Sequence, residues 1–273
     1  MLDRQSVGAA LPAVGQRVAG RYIIEAELGR GGMGAVFRAH HETTRRSVAI
    51  KWMLPAFAQD ERAVSRFIRE AKLAAAVDHE NIVDVYDVGQ EEGGFFIIME
   101  FLRGMSLSAR LEKGPLTSSE LIEIFAGVCA GMDVAHQAGI VHRDLKPDNI
   151  FLAETRTSKA GMIPKIVDFG VSKALEPGDS TMRPTGAGIA MGTPYYMSPE
   201  QIRSAADVDR TADVYALGVI AYECLSGQLP FTADSIAAII LKVVMEEPRP
   251  LREVAPAVPA GVVAAVHRAM AKE

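Results

Sequence analysis

Between about residues 21 and 101 the chain alternates short apolar runs with turn-forming residues: YIIEAEL, GAVFRA, SVAIKWM, IVDVYDV and FFIIME, punctuated by glycines such as Gly89 and Gly93-Gly94. Runs of this length read as strands, with the glycines marking turns. One stretch breaks the pattern. In ERAVSRFIREAKLAAAV the apolar positions Val64, Phe67, Ile68, Ala71 and Ala75 recur at helical spacing. From about residue 105 the character changes, and LIEIFAGVCAGMDVAHQAG, TADVYALGVIAYECLSG and SIAAIILKVVMEE read as helices, with GVVAAVHRAMAKE as the start of another. A strand-rich part followed by a helix-rich part predicts an α+β chain segregated into two lobes. No internal repeat is visible. The stretch 176–188, EPGDSTMRPTGAG, is a mobile loop by composition.

Composition narrows the class. At 273 residues the chain can bury a sizeable core, and 49% hydrophobic with 23% charged residues is ordinary globular usage rather than that of a disordered chain. A formal net charge of -5 gives no electrostatic reason to expect a nucleic-acid partner. Cys129 and Cys224 are too few and too far apart for a disulfide framework or a zinc site, which favours a reducing, cytoplasmic setting for this segment. No run approaches the roughly 18 apolar residues of a membrane span, so no membrane contact is expected here. Residues 1–20 lack the basic start and apolar core of a signal peptide and read as a loose leader. The chain stops inside a helical pattern, AVHRAMAKE, and the natural protein is expected to continue.

Candidate chemistry begins at Gly29, Gly31 and Gly34, spaced G-x-G-x-x-G. Glycines let backbone approach phosphates, yet a Gly-rich hairpin turn would look the same. A dinucleotide-binding fold would need this run between a strand and a helix, and here it lies between two strand-like runs. Lys51 ends VAIK and shares a strand face with Ala49 and Met53, opposite Val48, Ile50 and Trp52. A lysine there either snorkels to water or is paired. Glu70 falls beside Ala63, Phe67 and Ala74 at the margin of the helix's inward face, where it is either that partner or half of an i,i+4 surface pair. In IVHRDLKPDNIFL, residues 140–152, Asp144 and Asn149 stand five apart in a polar loop between an apolar helix and an apolar strand. A carboxylate there can orient a hydroxyl and take its proton, and an amide oxygen can ligate a hard cation. Asp148 is a turn residue with no chemistry assigned. Asp168, in KIVDFG, can hold a metal where Gly170 lets the chain turn sharply.

Taken in order, GRGGMGAV, VAIK, the helix with Glu70, HRDLKPDN, DFG, SPE and DVYALG resemble the eukaryotic-type (Hanks-type) protein kinases, and in style their bacterial serine/threonine members. The resemblance spans roughly residues 20–273. It implies a bilobal fold with lobes at 21–101 and 102–273, and transfer of the ATP γ-phosphoryl group to protein hydroxyls with Mg²⁺, or Mn²⁺ in its place. It further implies an ATP site made of Leu28, Gly29, Arg30, Gly31, Gly32, Met33 and Gly34 over the phosphates, Val36 and Ala49 on one adenine face and Phe151 on the other. Met99 would be the gatekeeper, with Glu100 and Leu102 bonding the adenine edge. Lys51, fixed by Glu70, would hold the α- and β-phosphates, and Asp168 and Asn149 the metal ions. Asp144 would orient the substrate hydroxyl, Lys146 would neutralise the transferred phosphoryl group, and Asp213 would brace the loop. By the same resemblance Thr193 would contact Asp144 and Lys146, and it and Lys146 imply serine/threonine rather than tyrosine specificity.

Arg143 before Asp144 resembles kinases switched by loop phosphorylation, with Thr185 as first candidate and Thr181 and Ser180 behind it. A homodimer for trans-autophosphorylation follows as an expectation, as does membrane anchorage of the full-length protein. Ser198 stands where the family usually has alanine, and Ala74 where many members have a larger apolar residue. Glu200 is expected to lack its usual arginine, which lies beyond the end of the chain, and so to be an unpartnered buried charge. A catalytically silent scaffold of the same fold is the main competing reading. A small-molecule kinase is the next, and the presence of GTPYYMSPE argues against it.

Overall fold

The computed structural model describes residues 11–91, 94–155, 161–169, 194–204 and 208–272. The chain divides into two compact units. One holds the chain through Asp78 together with Val83–Arg103; the other holds His79–Ile82 and the chain from Gly104 onward.

The first unit is an antiparallel sheet of β1 (Arg17–Val18), β2 (Tyr22–Arg30), β3 (Gly34–His41), β4 (Ser47–Met53), β5 (Val85–Glu91) and β6 (Gly94–Glu100), in the order β1-β2-β3-β4-β6-β5. Strand alternation sorts its side chains as the sequence predicts. Val48, Ile50 and Trp52 join Val18, Ile24, Phe37, Phe96 and Ile98 in one core, while Met53 and Ile97 on the other face pack with Phe67 and Ala71 of helix α1 (Glu61–Ala75). Asp60 caps α1 by accepting from the backbone N–H groups of Arg62 and Ala63.

Four local readings change. Residues 11–20 are not loose: Val18 is wholly buried, β1 pairs with β2, and the Ala19 N–H donates to Glu91 Oε2 at 2.8 Å. The buried stripe of α1 is Ala63, Phe67, Ala71 and Ala74; Ala75 faces solvent, because the stripe advances by three or four residues and has passed it by the last turn. The run IVDVYDV is not one strand, for Ile82 bridges to Ile166 of the second unit and only Val85 onward joins β5. Gly89 is not a turn residue. It lies within β5 opposite Phe96, where a Cβ would come within 2.4 Å of the Phe96 ring.

Gly94 has the same cause: a Cβ there would lie 2.5 Å from Nε1 of Trp52, which is stacked on Phe96 with centroids 5.3 Å apart. Trp52 is 2% exposed and has no room to retreat. Gly94→Ala is therefore expected to destabilise the protein by about 1–3 kcal/mol, as overpacking does. A urea-denaturation midpoint equal to that of the wild type would contradict this.

The second unit carries a small antiparallel sheet, β7 (Gly104–Ser106), β8 (Ile150–Glu154) and β9 (Met162–Ile166), and is otherwise helical. Its helices are α2 (Leu107–Leu111), α3 (Ser118–Gln137), α4 (Pro199–Arg203), α5 (Arg210–Ser226), α6 (Ile236–Met245), α7 (Leu251–Val254) and α8 (Ala260–Ala269). Helix α3 starts at a reciprocal capping box between Thr117 and Glu120. Helix α5 is buried along most of its length and ends at Gly227, whose φ of +69° favours glycine. The segment 79–82 belongs here: buried Asn81 donates from Nδ2 to the Pro164 carbonyl at 2.8 Å, and its own carbonyl accepts from Ile166 N–H at 2.7 Å. No helix among the described residues is long and apolar enough to cross a membrane.

Candidate active site

In the first unit the Gly-rich segment closes the β2–β3 hairpin. Gly31 N–H donates to the Gly34 carbonyl at 2.8 Å. At Gly34 a Cβ would lie 2.9 Å from the Trp52 carbonyl, so β3 can approach β4 this closely only with glycine. Leu28 is half exposed, and Arg30 is ion-paired with Glu27 at the surface. Register opposes Val36 to Lys51 and Ala49 to Met99. Cross-strand partners share a face, so Val36, Ala49, Lys51 and Met99 all line the face against which α1 packs.

That face resolves Lys51 and Glu70. Lys51 Nζ donates to Glu70 Oε1 at 2.7 Å, and the two side chains are only 13% and 14% exposed. Lys51 does not snorkel, and Glu70 is not an i,i+4 surface partner. A charge pair this buried is weak evidence for stability, because desolvation offsets the attraction.

In the second unit, Asp144, Lys146 and Asn149 occupy the connection between α3 and β8, which closes in a 3-10 turn over Pro147–Asn149. Asn149 Nδ2 donates to the Asp144 carbonyl at 2.8 Å, and Lys146 Nζ lies 3.4 Å from Asp144 Oδ2. Asp148 Oδ1 accepts from Ser108 Oγ at 3.1 Å, in keeping with a turn residue.

The loop is held from α5. Asp213, 1% exposed, accepts from His142 N–H and Arg143 N–H at 2.8 Å each and lies 2.8 Å from His136 Nε2. His142 is fully buried, and that burial holds its imidazole below the ordinary histidine range. One neutral tautomer serves both its contacts: Nε2–H donates to the Val167 carbonyl and Nδ1 accepts from Asp144 N–H, each at 3.3 Å. The His142 ring packs on Phe169 with centroids 5.0 Å apart.

Two non-glycine residues here lie in the left-handed region, Arg143 at φ +66° and Asp168 at φ +55°. Each costs about 1–3 kcal/mol and persists where the surroundings over-determine it. Asn149 is joined to the Asp168 segment through its carbonyl, which accepts from Val167 N–H at 2.9 Å.

Other anticipated positions fall plainly. Met99, Glu100, Leu102 and Phe151 are partly buried. Glu200 is partly rather than fully buried. Ser198 has a structural use: it is the N-cap of α4, in a reciprocal capping box with Gln201. Thr181, Thr185, Ser180, Thr193 and Gly170 lie outside the described residues. His136 and Gln201 are further residues of the site. His136 carries no sequence signal, whereas S-x-x-Q was a readable helix start.

Comparison with known proteins agrees with this geometry. Residues 22–258 match the protein kinase domain family, and the chain belongs to that family. It is 41% identical over 239 residues to the serine/threonine-protein kinase pkn3 of Myxococcus xanthus, covering 87% of this chain and 43% of that protein. Against Pkn1 of the same organism identity is 42% over 267 residues, 98% of this chain and 37% of the relative. Against PrkC of Bacillus subtilis it is 37% over 261 residues, 95% and 39%. The chain thus spans about two-fifths of the length of the curated relatives it matches. The kinase domain of Mycobacterium tuberculosis PknI superposes with a TM-score of 0.71 at 28% identity, covering 97% of this chain and 92% of that one. The fold is that of a protein kinase domain, with a β-sheet lobe and a helical lobe, and the relatives it resembles are bacterial serine/threonine-protein kinases. The family uses ATP and a divalent metal.

Proposed function

We propose that residues 21–273 form the catalytic domain of a protein kinase that transfers the ATP γ-phosphoryl group to serine and threonine hydroxyls. The observation that carries this reading is the Asp144 loop, in which Asp144 is held by backbone bonds on both sides and Lys146 Nζ lies 3.4 Å from its carboxylate.

In this reading Asp144 orients the hydroxyl and accepts its proton. Lys146 neutralises charge on the group in transfer, and Lys51, fixed by Glu70, holds the α- and β-phosphates. Leu28 to Gly34 cover the phosphates, with Val36, Ala49, Met99, Glu100, Leu102 and Phe151 around the adenine. Asp168 and Asn149 hold the cation, with Mg²⁺ preferred and Mn²⁺ able to replace it. The donor set fits: it is a carboxylate and an amide oxygen, both hard ligands, and the described residues contain no cluster of three or more His, Cys, Asp or Glu side chains able to hold a metal by themselves. Mg²⁺ is commonly bound by one or two carboxylates plus phosphate oxygens. When bound, it supplies positive charge to the phosphates. Thr193 would help to hold the hydroxyl-bearing substrate. A second copy of the chain is the first protein substrate we expect, with Thr185 and then Thr181 as acceptors, in a cytoplasmic setting.

The test uses γ-labelled ATP, a generic basic protein and either Mg²⁺ or Mn²⁺. Label on phosphoserine and phosphothreonine is expected, with none on tyrosine. Nucleotide binding without transferred label would instead support the scaffold reading.

A further inference from the structure

We propose that Gln201 is a positioning residue for phosphoryl transfer: its amide, locked by the cap of α4, holds the Arg143 carbonyl and with it the backbone that presents Asp144. The inference rests on the kinase reading above. Gln201 Nε2 donates to the Arg143 carbonyl at 2.8 Å. Its amide cannot turn over, because Oε1 accepts from Ser198 N–H at 3.0 Å while Gln201 N–H donates to Ser198 Oγ at 3.3 Å. Ser198 is wholly buried, so the cap is a fixed point.

Arg143 is the strained residue of the loop, at φ +66°, and both its peptide groups are clamped. Asp213 Oδ1 accepts from its N–H at 2.8 Å, and Gln201 takes its carbonyl. Such a conformation persists only when its surroundings over-determine it. The carbonyl held by Gln201 belongs to the peptide whose N–H is that of Asp144, which donates to His142 Nδ1. Releasing the carbonyl frees that peptide to rotate and moves the Asp144 carboxylate. The cap alone does not require an amide, because glutamate serves the same box equally well. Only an amide both accepts from Ser198 N–H and donates to Arg143.

Gln201→Glu therefore separates the two roles. It keeps the cap acceptor and replaces the donor with a carboxylate oxygen facing a carbonyl. With wild-type activity established in the same assay, the variant should keep its melting temperature and Mg–ATP affinity while kcat falls about tenfold to hundredfold, as small misplacements of reacting groups do. Lowering the pH should return part of the loss, since protonation gives the introduced carboxyl a donor. Arg143, Asp144, Lys146, Tyr196 and Asp213 border the same small cavity. Because they are common to both proteins, activity is read as the variant-to-wild-type ratio at each pH.

A ratio within twofold of one throughout overturns the inference and leaves the kinase reading standing. A wild-type protein that binds Mg–ATP without transfer overturns both. If Gln201→Glu does not fold, Gln201→Met, neutral and of similar length, carries the test: lower kcat with nucleotide affinity retained supports the inference, and unchanged kcat overturns it.

Discussion

Asp144→Asn is expected to lower phosphoryl transfer by about 10²–10⁴-fold, the usual contribution of a positioned proton acceptor. It should leave the fold and nucleotide affinity nearly untouched. The amide has the carboxylate's shape but no negative charge and no capacity to take a proton at neutral pH. Two of the bonds that hold the residue in place are made by its backbone: its N–H donates to His142 Nδ1, and its carbonyl accepts from Asn149 Nδ2. Neither involves the atoms changed, whereas the carboxylate's 3.4 Å contact with Lys146 Nζ does. Initial rates with labelled ATP, beside a Kd for Mg–ATP and a melting curve, check all three expectations. Loss of transfer together with loss of folding would mean that the carboxylate also has a structural duty.

Asp213→Ala should do the opposite, removing stability and activity together. This carboxylate is 1% exposed and accepts from two backbone N–H groups, with His136 Nε2 also at bonding distance. Truncation leaves those donors without their acceptor. Removing one side of a buried charged network costs about 3–5 kcal/mol, against a total stability of about 5–15 kcal/mol for a domain. The loss also releases Arg143 from one of its two clamps, so the variant that remains folded at low temperature should transfer slowly. A denaturant midpoint and an initial rate both close to wild type would show that the loop is held from elsewhere.

Much of this site was legible because it obeys local rules. Period-2 alternation alone put Lys51 on the face with Ala49 and Met53, and helical geometry put Glu70 beside Phe67; the 2.7 Å pair decides between the alternatives that those two facts left open. The loop between α3 and β8 was legible from its polarity between two apolar elements. What escaped was set by tertiary contact. Gly89 looks like a turn signal, and only the Phe96 ring lying over it shows why a strand has no side chain there. Ile82 reads as the start of a strand, yet Asn81 and Ile82 are committed to Pro164 and Ile166, more than 80 residues away. Val18 is too isolated an apolar residue to predict β1, and it becomes core because the sheet has an edge to receive it. His136 is one histidine on a long helix, and nothing nearby in sequence says that it meets Asp213. Ser198, by contrast, looked like a neutral exchange for alanine and is a helix cap.

The most direct measurement is the intact mass of the purified chain before and after incubation with Mg–ATP, for the wild type and Asp144→Asn side by side, followed by peptide mapping. Added phosphate on serine or threonine is expected in the wild type and none in the variant, with both binding nucleotide. Wild-type protein that binds Mg–ATP and gains no phosphate, and that labels no added protein substrate, would contradict it.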